Sequence, residues 1–396
     1  MKRTFLFEKA RPAALVTSGL GLVAATYGLV RLAYGLFLPD VQASLGLGSA
    51  ASGLISAGAS VAYCAGAAAG FVWASSRPRR LVVASIAGAA VGSAGMAAAS
   101  GPPMFGIAAV LASTGAGLAS PALVSIVRRT VAATDDARHQ AVVNAGTGPG
   151  LVGAGLLALV LLPDWRLAWY LVAGATVAVG AAVLLLDRGR DAPTDGGRRP
   201  LPSPAWLASH RAPIASALLM GAGSAAVWSF GRTHLVAAGV GEQASVLAWI
   251  AIGVGGTAVV ASAGPMGSLP PRAAWCLTTL VTGAATATIG VSTGAPALVA
   301  CVAFGWGYTA GSGALIAWTT AIDPRHAPAG TSMLFVVLVL GQALGAAAIG
   351  GAIPATGSSA AFVAAGTVAL LAAVAPFAPS ARAGSPQRRV AAGTRV

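Results

Sequence analysis

Residues 141–186 read AVVNAGTGPGLVGAGLLALVLL, then Pro163-Asp164-Trp165, then RLAWYLVAGATVAVGAAVLLL. Two apolar runs, 141–162 and 166–186, flank a three-residue polar break. Each run is about twenty residues, or about 30 Å of α-helix, the thickness of a bilayer's hydrocarbon core. A soluble helical hairpin would carry a charged stripe on each helix. Here Arg166 is the sole charged residue in either run. The stretch therefore reads as a membrane-spanning helical hairpin.

The same grammar repeats on both sides. Spans near 13–37, 51–74, 81–100 and 104–127 precede the hairpin; spans near 213–237, 245–262, 273–292, 296–319, 331–352 and 360–378 follow it. Composition agrees, since 56% of the 396 residues are hydrophobic and 9% charged, against about 25% charged in soluble domains. The fold class is an all-α membrane protein of twelve transmembrane helices. The basic start, Met1–Pro12, leads into a span longer than a signal peptide's apolar core of about 7–15 residues, so it reads as an uncleaved first helix.

The net charge of +14 would suggest nucleic acid in a soluble protein. The basic residues are instead spread over alternate stops between spans. Lys2, Arg3, Lys9 and Arg11, then Arg77, Arg79 and Arg80, then Arg128, Arg129 and Arg138 fall on one side, as do the basic residues of 187–212, Arg272, Arg325 and the C-terminal tail. The opposite loops hold Arg166 alone. By the positive-inside rule the termini and the central loop are cytoplasmic, as in a multi-pass protein of a bacterial inner membrane. The expected organisation is a tail at 1–12, a six-helix bundle at 13–186, a polar Pro/Gly-rich linker at 187–212, a second bundle at 213–378 and a tail at 379–396.

Cys64, Cys276 and Cys301 all lie in apolar spans, which excludes a disulfide scaffold. The four histidines are scattered with no acid beside them in a cluster. Neither a metal nor a cofactor is expected, and a membrane-embedded enzyme lacks its base or metal ligands. A sensor would need an output domain that the linker and tail do not supply.

Weak internal matches suggest duplicated halves. Arg31 and Arg232 are 201 residues apart, and Gln42-Ala43-Ser44 matches Gln243-Ala244-Ser245 at the same offset. Asp136-Ala137-Arg138-His139 resembles Asp323-Pro324-Arg325-His326, and Gly115-Ala116-Gly117 resembles Gly305-Trp306-Gly307.

With paired halves and a long middle loop, the chain resembles the major facilitator superfamily over nearly its whole length. Trp165-Arg166-Leu167-Ala168-Trp169 looks like that family's Trp-Arg start of helix 6. Gly146, Gly148, Pro149, Gly153 and Gly155 resemble its Gly-Pro antiporter motif on helix 5, with Val152 in place of one glycine. Arg77, Arg79 and Arg80 resemble the basic end of its loop between helices 2 and 3. The likeness stops at two positions: Ala74 stands where that loop has its acid, and Leu111 stands where proton-coupled members carry an Arg on helix 4. The resemblance implies two pseudo-symmetric six-helix bundles around a central cavity. It implies a secondary transporter that works as a monomer in the lipid bilayer on a small-molecule substrate, with no nucleic acid.

The ten acidic residues all fall in expected tails, loops or helix ends, so no intramembrane carboxylate is expected. Two cations do lie inside spans, Arg31 on helix 1 and Arg232 on helix 7, each about six residues, or about 9 Å, from the outer end. An Arg at mid-bilayer costs about 2.5–3.5 kcal/mol on insertion scales. Two guanidinium forks without acids would hold a small organic anion bidentately, and His234 would add a titratable donor. The arginine pair resembles that of the organophosphate:phosphate antiporters of the same superfamily. The competing reading is an exporter of lipophilic metabolites or drugs, on the partial Gly-Pro motif. Further substrate contacts are expected from Tyr27, Tyr34, Trp228, Tyr308, Asn144 and Gln342, with Tyr63 and Trp318 as secondary candidates. Gly66/Gly70, Gly146/Gly150 and Gly341/Gly345 have the spacing of close helix packing, and are expected where the family's helices 2, 5 and 11 meet across the halves.

Overall fold

The computed structural model describes residues 2–130, 139, 142–143, 146–189, 191 and 203–374. Among these, ten helices are long and apolar enough to cross a membrane, and two shorter apolar ones, Thr147–Leu161 and Ser358–Leu371, complete two sets of six. The first set is α1 (Lys2–Leu45), α2 (Ser49–Trp73), α3 (Pro78–Ala98), α4 (Pro102–Thr130), α5 (Thr147–Leu161) and α6 (Trp165–Leu186). The second is α7 (Arg211–Ala237), α8 (Glu242–Ser268), α9 (Pro271–Val291), α10 (Gly294–Ile322), α11 (Ala327–Thr356) and α12 (Ser358–Leu371). The face carrying the linker is called the linker side, and the opposite face the far side.

Local chemistry sets the ends. Proline opens α3 and α9, where its missing N–H costs nothing. Asp164 caps α6 by accepting from the Leu167 amide at 3.1 Å. Arg166 explains the Trp-Arg pair: its guanidinium lies over the Trp165 ring at 4.2 Å and donates to the Ala97 and Ala99 carbonyls, both at 2.7 Å. Those carbonyls end α3, so Arg166 ties α6 to α3 at the far side.

Two expectations need correction. Helix 1 does not stop near 37; its apolar, membrane-length part runs Pro12–Leu45, and residues 2–11 precede it as helix. α1 runs unbroken as Lys2–Val23, a π-helical stretch Ala24–Leu32, and Ala33–Leu45. The polar residues that seemed to end it are satisfied inside the protein: Gln42 donates to Ser52 Oγ at 2.9 Å, and Asp40 pairs with Arg232. The end of the linker is also structured. Ser203 caps a short helix, Pro204–Ser209, whose Trp206 indole donates to Asp323 at 3.0 Å; His210 Nε2 lies 3.0 Å from Thr319 Oγ1. The second bundle's first helix thus begins at Arg211. Residues 192–202 and 375–396 lie outside the described residues.

The halves are duplicated, but not in the expected register. The far-side turns are equivalent: Gly46 and Gly239 both take positive φ (64° and 84°), and the Gly48 and Gly241 carbonyls accept from the Ser52 and Ser245 amides, the fourth residue of the next helix in each case. Both glycine pairs are 193 residues apart. The 201-residue match pairs the last turn of α1 with the first turn of α8, so Gln42-Ala43-Ser44 and Gln243-Ala244-Ser245 are not structural counterparts. The helix 4 and helix 10 glycines do correspond in role. Gly115 and Gly117 let α4 approach α3 and α2, and Gly307 and Gly305 let α10 approach α9 and α8.

The bundles meet along α1 with α7, α2 with α11 and α5 with α8. Toward the far side this seam is backbone-tight. A Cβ at Gly35 would collide with the Trp228 carbonyl, and one at Gly53 with the Ala346 carbonyl. Close approach without a hydrophobic drive is how helices associate in lipid.

Candidate functional site

The centre of the seam is built on the π-helical stretch of α1. Ala33 N–H bonds to the Gly28 carbonyl, five residues back, and such wide turns recur at functional sites. The stretch carries Tyr27 and Arg31. Arg31 Nη1 donates to the Tyr27 hydroxyl at 3.2 Å, and Nη2 crosses to the other bundle to donate to Gln342 Oε1 at 2.8 Å. Gln342 Nε2 donates in turn to the Tyr308 hydroxyl at 2.9 Å. The guanidinium lies 4.6 Å from the Tyr63 ring centroid and 5.1 Å from that of Tyr27, so two aromatic faces hold it by cation–π attraction. Arg31 Nε is buried with no partner among the described residues.

Arg31 opens on a cavity of about 40 Å3, measured as space for the centre of a water molecule. Val30, Leu32 and Met96 supply apolar walls; Tyr34, Trp228 and Gln342 line it, with Ser56, Ser60, Ser113 and Ser229. Ser56 and Ser229 bridge the bundles at 2.7 Å. Tyr34 donates to the Ser52 carbonyl at 2.8 Å. The Trp228 ring is fixed edge-on against Tyr308, Phe304 and Trp249, at 5.2, 5.3 and 6.1 Å between centroids. Of the expected contacts, Arg31, Tyr27, Tyr34, Trp228, Tyr308 and Gln342 come together here. Asn144 lies outside the described residues. Trp318 lies in a separate core with Trp275.

Reading the sequence alone missed the serines. Ser52, Ser56 and Ser60 recur every fourth residue on α2, a helical period that marks one polar face.

Arg232 does not join Arg31. It is 2% exposed and ion-paired with Asp40 of the other bundle. It also donates to the Leu36 carbonyl at 2.8 Å and to Ser245 Oγ at 3.0 Å. The expectation that no intramembrane acid meets either arginine is therefore wrong for Arg232. The extension of α1 past residue 37 carries Asp40 up to it. The extension also changes depth. Leu45 lies fourteen residues beyond Arg31, about 21 Å along the helix, whereas Ala237 lies five beyond Arg232, about 8 Å. Arg31 is central and Arg232 sits near the far-side rim. His234 faces away from the cavity. Its ring nitrogens lie 2.8 Å from Ser358 Oγ and 3.1 Å from the Ile289 carbonyl, and it stacks on Phe362, all within its own bundle.

The glycine pairs pack inside their halves rather than across the seam. Gly66 and Gly70 meet Thr114 and Pro121 of α4; Gly146 and Gly150 meet Leu20 and Ala24 of α1; Gly341 and Gly345 meet Leu218 and Ala222 of α7. The seam instead uses Gly35, Gly53 and Gly350, with Gly148 facing Thr257 and Gly155 facing Ile250. Pro149 lies in the first turn of α5, and Gly153 faces Leu29 within its own half. On the linker side, Arg77 precedes α3 as its N-cap. With Ala74 in place of an acid, this loop meets carboxylates that follow α6. Asp187 pairs with Arg79 and Arg129, and Asp191 accepts from the Arg79 and Arg80 amides at 3.0 and 3.2 Å.

Comparison with known proteins supports this architecture. Residues 20–322 match the family described as Major Facilitator Superfamily. Among solved structures, the nucleoside transporter NupG is similar at a TM-score of 0.74 and 12% identity, covering 93% of this chain and 98% of that one. A POT family transporter in complex with a thioalcohol-conjugated peptide gives 0.75 and 13%, covering 92% and 95%. A bacterial homologue of the human lysosomal transporter Spinster, inward-facing and occupied, gives 0.70 and 16%, covering 95% and 96%. At these identities the likeness is one of fold. No match was found among curated protein sequences.

Proposed function

Because the chain belongs to the major facilitator superfamily it is a membrane transporter and not an enzyme, and we propose that its cargo is a small organic anion bound at Arg31. One observation carries the reading: Arg31 is the only charged side chain lining the central cavity among the described residues. A guanidinium at mid-bilayer without a counter-charge is costly, and an anion in the cavity would neutralise it. Gln342 and Tyr308 of one half and Tyr27 and Tyr63 of the other hold the fork in place, which spares the cargo the ordering cost. Contacts from both halves suit alternating access, in which the far-side seam parts while the linker side closes. The charge distribution along the sequence supports a cytoplasmic linker side in a bacterial inner membrane.

The apolar walls Val30, Leu32 and Met96 favour one alternative, export of a lipophilic compound without a charge requirement. Uptake into proteoliposomes separates the two. Arg31→Gln should abolish transport of carboxylates, and Arg31→Lys, which keeps the charge but loses the fork, should retain a fraction. Carboxylate transport that survives Arg31→Gln, or transport of neutral lipophiles alone, would refute the anion reading.

A further inference from the structure

We infer that the cargo is a monocarboxylate, one negative charge on an apolar body without a cationic group, and that the Trp228 indole N–H and the Ser113 hydroxyl bind its carboxylate beside Arg31. This rests on the anion reading of the cavity and narrows it.

Three polar atoms on residues that line the cavity are buried without a partner among the described residues: Arg31 Nε, Trp228 Nε1 and Ser113 Oγ. The first two only donate, and the third can donate. Buried donors in folded proteins are nearly always paired. Seven such side-chain atoms occur among the described residues, and the three on residues around this one small space describe the complement of a ligand that brings acceptors; a carboxylate offers about four lone-pair sites. The Trp228 ring is braced by Trp249, Phe304 and Tyr308, so its N–H direction is set before a ligand arrives.

Charge counting narrows the class. Arg232, the second intramembrane cation, is consumed by Asp40 and does not line the cavity. A second carboxylate on the cargo therefore meets no second cation. No Asp or Glu lines the cavity among the described residues, so a cargo ammonium meets no counter-charge. The Tyr27 and Tyr63 faces already hold the Arg31 guanidinium. Val30, Leu32, Met96 and the alanines Ala59, Ala109 and Ala225 leave apolar surface for the rest of the molecule.

The test uses the full chain in detergent and four probes with one phenylpropyl body: 3-phenylpropanoate, phenylalanine, phenylsuccinate and 3-phenylpropylamine. Dissociation constants come from calorimetry at millimolar ligand. The expected result is 3-phenylpropanoate binding at least about tenfold tighter than the other three, with loss of binding in Arg31→Gln. Trp228→Phe keeps a ring and deletes the N–H; it should weaken 3-phenylpropanoate by about tenfold, the effect of one hydrogen bond to a charged group. Ser113→Ala should weaken it by a smaller factor and decides alone if Trp228→Phe does not purify as a folded protein. Unchanged affinity in the folded variants overturns the inference. Phenylsuccinate or phenylalanine binding as tightly, with dependence on Arg31, also overturns it while leaving the anion reading standing. Preference for the amine, or no binding by any carboxylate, overturns both.

Discussion

Asp40→Asn is the sharpest perturbation the structure offers. It removes the negative half of a buried pair and leaves the Arg232 guanidinium, 2% exposed, with the Leu36 carbonyl and Ser245 hydroxyl as its remaining partners. Breaking a buried pair by deleting one partner costs about 3–5 kcal/mol. Asp40 is 15% exposed and asparagine can still accept one bond, which puts the cost at the low end, about 3 kcal/mol. Asp40 and Arg232 sit on opposite bundles, so the penalty falls on the state in which the far side is closed. A penalty of about 3 kcal/mol shifts the balance between closed and open far side by roughly a hundredfold. The assay is alkylation of a cysteine placed at Ser56, in a background without the three native cysteines, by an impermeant maleimide added to the far side. Labelling should be slow with the pair intact and roughly a hundredfold faster in Asp40→Asn. Asp40→Asn with Arg232→Gln should fall back most of the way, since removing both members of such a pair is close to neutral. A lowered melting temperature with an unchanged labelling rate would refute the reasoning, because the pair would then hold the fold together rather than the closed state.

Two further outcomes follow from the connections between helix ends. Arg166→Ala strands the Ala97 and Ala99 carbonyls that end α3; each unsatisfied group costs about 1–3 kcal/mol if water cannot replace the guanidinium, so thermal unfolding in detergent should come several degrees earlier, with Arg166→Lys recovering part of the loss. At the linker side, the His326 hydrogen bond, helped by that from Trp206, holds the Asp323 carboxyl below its usual range. A depressed folded-state value stabilises the docked short helix above the ordinary carboxylate pKa of about 3.9, and that stabilisation is lost as pH falls through the lower folded value. Trp206 fluorescence should therefore change below about pH 4, and Asp323→Asn should remove that transition; a transition that persists would place its origin elsewhere.

Much of the candidate site is legible in the sequence, residue by residue rather than as an arrangement. Arg31, Gln342, Tyr27, Tyr34, Trp228 and Tyr308 stand out because a charge, an amide or a ring in an apolar span must find a partner. Arg232 and His234 stand out for the same reason and lie elsewhere, because the rule demands a partner without naming it. Asp40 supplied the one; Ser358 and the Ile289 carbonyl supplied the other. The 201-residue match misled because it joined α1's last turn to α8's first, whereas the equivalent turns are set by Gly46 and Gly239. Nothing in local hydropathy records that α1 takes a π-helical turn and continues eight residues past its apolar run, to Leu45.

What the sequence determined by itself is what depends on sums over neighbouring residues. Transfer free energy over about twenty residues places each span. Caps and breaks are local too: Asp164 before α6, proline at the start of α3 and α9, and glycine at the far-side turns. What only the tertiary structure decided is which polar group meets which across the seam. Asp40 and Arg232 are 192 residues apart in the chain, and Arg31 and Gln342 are 311 apart. Their pairing depends on the rotation and depth of two docked bundles, which packing at Gly35 and Gly53 sets to within a side chain's width. One arginine is ion-paired across the seam and the other lines the cavity. Neither outcome is a property of the residue or its neighbours along the chain.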